Sequence, residues 1–150
     1  MSDKKAAKYQ RLYDQLSGLL TKTDDRVARM ATIAAVLHNK MPTFFWTGFY
    51  QYADGQLLVG PYQGAVACQT LLKDTGVCWA AVNRNETVIV ENVEEFPGHI
   101  ACDSRSKSEV VVPCRDGDGN IFAVLDVDSD KVGSFDKVDG VWLEKVVELV

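Results

Sequence analysis

The sequence is short of everything that marks a cationic, a fibrous or a membrane-spanning chain. Among its 150 residues, 16 Lys and Arg stand against 21 Asp and Glu, a net charge of −5, so the clustered basic footprint of a nucleic-acid binder is missing. No apolar run approaches the roughly 18 residues of a membrane span, and no membrane partner is expected. Proline is sparse and dispersed, at Pro42, Pro61, Pro97 and Pro113, and no repeat, low-complexity stretch or linker interrupts the chain. Residues 1–15 are polar and charged and lack the apolar core of a secretory signal, so a reducing, cytoplasmic setting is expected. What is present is ordinary globular composition, 47% hydrophobic and 25% charged, apolar enough to bury a core and offset the ordering entropy. The length suits one domain.

Four cysteines in such a chain read better as catalysis, redox chemistry or metal binding than as a disulfide scaffold. Their spacing, Cys68-x9-Cys78-x23-Cys102-x11-Cys114, contains no CxxC pair, which argues against structural zinc. Calcium is also excluded. Counting an EF-hand loop from Asp116 puts Ile121 where Gly is needed and Val127 where Glu is needed; counting from Asp126 puts Lys131 and Lys137 there. Phosphate-binding glycine loops, nucleophile elbows and zinc-protease motifs are absent. No metal and no bound cofactor are expected.

Periodicity divides the chain into helices, then hairpins, then a helix. Tyr9, Leu12, Tyr13, Leu16, Leu19 and Leu20 recur at helical spacing. Thr23 offers an N-cap to a second helix carrying Val27, Met30, Ala31, Ala34 and Leu37, which ends before Pro42. Strands are expected at 44–52 and 56–60 around the Asp54-Gly55 turn, at 87–91, and at 108–113 and 121–127 around a Gly-rich turn. Residues 61–73 show no period and read as a loop or an irregular strand. A short helix at 76–83, a polar loop at 92–107 and a closing helix carrying Phe135, Val138, Trp142, Val146 and Leu149 complete the order. Hairpins flanked by helices predict an α+β fold with an antiparallel sheet. The helical N-terminus covers about 5–40, the sheet and site about 44–128, and the last helix about 135–150.

Cys68, Cys78 and Cys102 fall in loops or at a helix start, where functional residues concentrate. Cys114 ends an apolar strand and reads as core. Around Cys102, the acidic neighbours Asp103 and Glu109 oppose thiolate formation, so a compensating donor is needed from Arg105, Lys107, His99 or a helix N-terminus. The strand end Leu125-Asp126-Val127-Asp128 is unusual, because Asp is depleted in strands and alternation points both carboxyls to one face. On a pocket face such a pair holds an α-amino group or stores a proton.

Taken together, Gly60-Pro61-Tyr62-Gln63-Gly64, Ala67-Cys68, Gly76-Val77-Cys78, Phe96-Pro97-Gly98-His99-Ile100-Ala101-Cys102-Asp103-Ser104, Ser108-Glu109-Val110-Val111-Val112-Pro113 and Val124-Leu125-Asp126-Val127-Asp128-Ser129 closely resemble the free methionine-(R)-sulfoxide reductases, stand-alone GAF-domain enzymes. The resemblance covers about 46–149 and implies a single GAF-like domain with a six-stranded antiparallel sheet. It implies reduction of free L-methionine-(R)-sulfoxide to methionine through a cysteine sulfenic acid and an intramolecular disulfide, recycled by thioredoxin. Carried over by position, Cys102 is the nucleophile, with Cys78 the alternative attacking thiol, and Cys68 and Cys78 are the resolving or recycling thiols. Glu109, Asp126 and Asp128 match carboxylates that hold the sulfoxide oxygen and the substrate amine. Trp46 and Tyr50 match aromatics around the methyl group. A second copy of the chain is a candidate partner.

Four positions depart from the family pattern. Trp79 stands where Gly is common and is expected to narrow the pocket mouth or shift the segment bearing Cys78. Phe44-Phe45 is more apolar than usual, and Cys114 is an extra thiol. The competing reading of the same residues is a GAF-type small-molecule binding or redox-sensing module without turnover.

Overall fold

The computed structural model describes residues 2–99 and 102–150. Helices α1 (Ser2–Leu19) and α2 (Arg26–Lys40) lead into the hairpin β1 (Trp46–Ala53) and β2 (Gln56–Gln63). Helix α3 (Gly76–Arg84) and β3 (Val88–Val90) follow. The hairpin β4 (Ser108–Arg115) and β5 (Ile121–Ser129) and helix α4 (Lys137–Val147) close the chain. Among the described residues no helix is long and apolar enough to cross a membrane.

The sheet is antiparallel, in the order β2-β1-β5-β4-β3. Among the described residues it has five strands, where the family resemblance implied six. The segment after β2 supplies only one bridge, Leu58 to Thr70, carried by Val59 N–H to the Gln69 carbonyl at 2.8 Å and Leu71 N–H to the Leu57 carbonyl at 3.2 Å. Gly64, at φ +123°, turns the chain out of the sheet before pairing can extend.

Strand alternation splits the core in two. One face, with Phe49, Val110, Val112, Cys114, Ala123, Leu125 and Val127, packs against apolar residues of α1, α2 and α4. The other face, with Trp46, Tyr50, Leu57, Val111 and Val124, packs against Val77, Cys78, Trp79 and Ala81 of α3. The expected core role of Cys114 agrees with its complete burial. Trp79 is a correction: it does not line the pocket mouth but lies 2% exposed in the core. There its indole N–H donates to the Leu71 carbonyl at 3.2 Å and its ring meets Tyr52 edge-on.

Local chemistry explains where the elements begin and turn. Asp25, not Thr23, caps α2 by accepting the Ala28 N–H at 2.9 Å, while Thr23 accepts the N–H of Asp25. Asp54 and Gly55, both at positive φ, make the tight β1–β2 turn. Asp116 spends one carboxylate oxygen on the N–H groups of Asp118 and Asn120, so the acidic run is a hairpin turn. The buried Asp139 completes a capping box with Asp136 and accepts from the Tyr9 hydroxyl and from Lys5 at 2.8 Å. Trp142 stacks near Tyr9, with ring centroids 6.3 Å apart, so this large apolar side chain is used inside the chain.

Candidate active site

The α3 face of the sheet carries a cavity of about 240 Å³. Its floor follows from register. Asp128 lies between Trp46 on β1 and Glu109 on β4, and Asp126 lies between Gly48 and Val111. Alternation therefore brings Trp46, Tyr50, Glu109, Asp126 and Asp128 to one face, and all five line the cavity. Cys78, in the first turn of α3, closes it from above; Cys68 and Cys102 stand on its loop wall. Every site residue expected from the sequence is thus brought to one place. Of the long motif around Cys102, only Ile100 and Ala101 lie outside the described residues.

Burial raises the pKa of all three carboxyls. Glu109 and Asp126 are each 6% exposed. Burial and then the charges of Asp126 and Asp128 hold the Glu109 carboxyl well above its usual range. Burial, followed by Asp126, does the same for Asp128, and burial alone raises Asp126. Oδ1 of Asp126 is buried and finds no hydrogen-bond partner among the described residues. Such an orphan acceptor in a cavity wall is suited to a cationic or proton-bearing ligand group.

The thiols are not equivalent. Cys68 and Cys102, 34 positions apart, are joined in a disulfide with Cα atoms 5.7 Å apart, inside the range that a bridge requires. Cys102 is exposed, Cys68 half-buried, and the Tyr50 hydroxyl donates to the Cys68 carbonyl at 3.3 Å. Cys78 is free and buried. Burial first, and then Asp126, Glu109 and Asp128, push its thiol far up, away from the reactive thiolate.

Sγ of Cys78 and one oxygen each of Glu109 and Asp126 lie within 4.8 Å of one another, close enough to hold a metal ion. Their raised pKa values mean that an ion there would have to displace protons from all three donors.

The basic neighbours of Cys102 are mostly spent. Arg105 grips Asp103 with two bonds, at 2.7 and 3.0 Å, holding that carboxyl down to about 2. It also lies over the Phe45 ring, 4.9 Å from its centroid. Lys107 sits 3.8 Å from Glu94. His99 alone remains in the cavity wall.

Two glycines shape the site: Gly48, which the sequence reading missed, and Gly64, which ends the Gly60-Pro61-Tyr62-Gln63-Gly64 motif. A Cβ at Gly48 would overlap the Cβ of Tyr62 and stand 2.6 Å from the Trp46 ring, and one at Gly64 would stand 2.8 Å from it. The indole thus lies across two glycine backbones, stacked on Tyr62 at 5.2 Å and Tyr50 at 5.9 Å. Its N–H is fixed to the Ala65 carbonyl at 3.0 Å. A glycine inside the aromatic run of β1 is the signal that such a close approach leaves in a sequence.

An antiparallel sheet with a ligand-sized cavity on the α3 face, away from the N- and C-terminal helices, is a GAF domain, and residues 24–150 match the GAF domain family model. The chain is 44% identical over 147 residues to GAF domain-containing protein A of Dictyostelium discoideum, covering 97% of this chain and 92% of that one. It is 37% identical over 139 residues to the free methionine-R-sulfoxide reductase of Escherichia coli, covering 93% and 84%. Its fold is similar to the X-ray structure of free methionine-R-sulfoxide reductase from Neisseria meningitidis in complex with its substrate, with a TM-score of 0.92 and 37% identity over 97% of this chain and 87% of that one. The chain belongs to the free methionine-R-sulfoxide reductase family of oxidoreductases.

Proposed function

We propose that this protein reduces free L-methionine-(R)-sulfoxide to methionine by thiol chemistry, with Cys102 as the attacking group. The observation that carries the reading is the Cys68–Cys102 bridge in the wall of a cavity floored by three buried carboxyls, of which Glu109 is held well above its usual range by burial and its acidic neighbours. The Cys102 thiolate attacks the sulfoxide sulfur while Glu109 gives its proton to the sulfoxide oxygen. The oxygen passes to Cys102 as a sulfenic acid and methionine leaves. Cys68 then displaces that oxygen as water and closes the disulfide. An external dithiol of the thioredoxin class restores both thiols by exchange.

Asp126 and Asp128 suit the substrate ammonium, since a cation would meet the orphan Asp126 oxygen. Trp46 and Tyr50 supply an apolar wall for the methyl group. Exposure and position favour Cys102 over Cys78 as nucleophile: the Cys78 thiol is buried among three acids and would have to leave them to attack or to recycle the bridge.

The test is turnover with thioredoxin, its reductase and NADPH. The free R-sulfoxide should consume NADPH and the S form should not, and Cys102→Ser should remove activity altogether. NADPH consumption with neither epimer would favour a binding or sensing module instead.

A further inference from the structure

We propose that His99 holds the α-carboxylate of the substrate and thereby selects the free amino acid over forms in which that carboxylate is blocked. This rests on the reductase reading above and assigns the one charged group of the substrate for which that reading names no partner. The substrate is a zwitterion. Its ammonium has Asp126 and Asp128; its carboxylate would enter a cavity whose charged walls are Glu109, Asp126, Asp128 and Asp103. Each of these repels it when ionised and offers it no fixed cation.

Among the residues lining that cavity, His99 is the only one with a basic side chain. The two cations nearest in sequence are engaged elsewhere, Arg105 with Asp103 and Lys107 with Glu94. Nε2 of His99 is buried and has no hydrogen-bond partner among the described residues. A buried ring nitrogen without a partner calls for a ligand or a water. The backbone beneath it is anchored, with the His99 N–H donating to the Phe96 carbonyl at 3.2 Å after Gly98 at φ +74°. The imidazole is therefore presented by a turn and not by a free loop end. Burial keeps the ring neutral before the substrate arrives, and as the Nε2–H tautomer it donates one hydrogen bond to a carboxylate oxygen. A bound carboxylate in turn favours the imidazolium, which strengthens the bond. An ester or a peptide amide at the same place carries no charge, so its carbonyl accepts only the weaker neutral bond and does not favour the imidazolium.

The experiment compares free L-methionine-(R)-sulfoxide with its methyl ester, using the full chain and dithiothreitol as reductant. The wild type should prefer the acid by about 10- to 100-fold in kcat/KM. In His99→Ala, KM for the acid should rise by a similar factor with kcat within about threefold of the wild type. The ester, which loses only a neutral hydrogen bond, should be affected much less, so that the preference falls towards one. His99→Gln, which keeps an N–H donor, should recover part of the preference. An equal loss on acid and ester would make His99 a general support of the site and overturn the proposal. An unchanged acid preference in His99→Ala would also overturn it, leaving the carboxylate to another donor of the cavity wall such as the Thr70 hydroxyl. If the wild type reduces neither compound, the reductase reading itself fails, a result distinguishable from both.

Discussion

Glu109, Asp126 and Asp128 line the cavity at a cost to folding. In the unfolded chain Glu109 ionises in the ordinary carboxylate range; in the fold, burial and its two acidic neighbours keep the proton on it to higher pH. Between those two pH values the folded state holds a proton that the unfolded state has shed, so this group's contribution to stability falls as pH rises. Glu109→Gln should therefore stabilise the protein at neutral pH by about 0.5–2 kcal/mol, at about 2–4 °C of Tm per kcal/mol for a chain of this size. Below about pH 4 the gain should vanish, because both states then carry the proton. Thermal melts from pH 4 to 8 check this, and superimposable curves at every pH would refute it. The same variant should lose about 10²- to 10⁴-fold in turnover, the usual worth of a positioned proton donor. At Gly48, Ala would force the Trp46 indole off the backbone that it covers. KM for the sulfoxide should rise and Trp fluorescence should shift, while the secondary structure by circular dichroism stays. At this scale the pairing of Asp126 with Asp128 was legible from alternation alone. Glu109 was not, because it reaches them only through the β4–β5 register, which a single sequence does not display; the family resemblance supplied it.

Helix placement depends on a few polar contacts as much as on the apolar stripes. Asp139 is 1% exposed and accepts from Tyr9, from Lys5 and from the Asp136 N–H at 2.9 Å, which ties α1 to the start of α4. Asp139→Ala would leave the Tyr9 hydroxyl unpaired and Lys5 with only Asp136, 3.4 Å away, and should cost about 1–3 kcal/mol. Tyr9→Phe should cost about 0.5–1.5 kcal/mol, the net worth of one hydrogen bond. Urea titrations measure both. Because α1 and α4 pack on the face opposite the cavity, turnover per folded molecule should stay near the wild-type value, and its selective loss would show that the two faces are coupled. The helices and hairpins themselves were readable, since 3.6-residue and two-residue periods and the Asp54-Gly55 turn are local signals. The α2 cap shifted from Thr23 to Asp25, two neighbouring residues able to do the same work. The five strands read from alternation are the five present; the sixth came from the family resemblance, and the residues after Gly64 meet β2 through one bridge only.

For the molecule as a whole, the two-faced sheet separates stability from chemistry. One face packs against α1, α2 and α4; the other, under α3, keeps a cavity with acids and aromatics on its floor and thiols around it. The four cysteines follow that division. Cys114 belongs to the helical face and is fully buried, and Cys114→Ala should leave turnover unchanged. The other three border the cavity, which their scattered sequence positions suggested only through their loop placement. Their division of labour was not legible, because it depends on which thiol is exposed, which is buried beside carboxyls, and which two can meet. The central claim is that Cys102 attacks and Cys68 resolves. The most direct test is to give the fully reduced protein one equivalent of free L-methionine-(R)-sulfoxide without reductant, alkylate the remaining thiols, and map the peptides. The account predicts one equivalent of methionine, a Cys68–Cys102 bridge, and alkylated Cys78 and Cys114. A bridge containing Cys78, or methionine release that persists in Cys102→Ser, would contradict it.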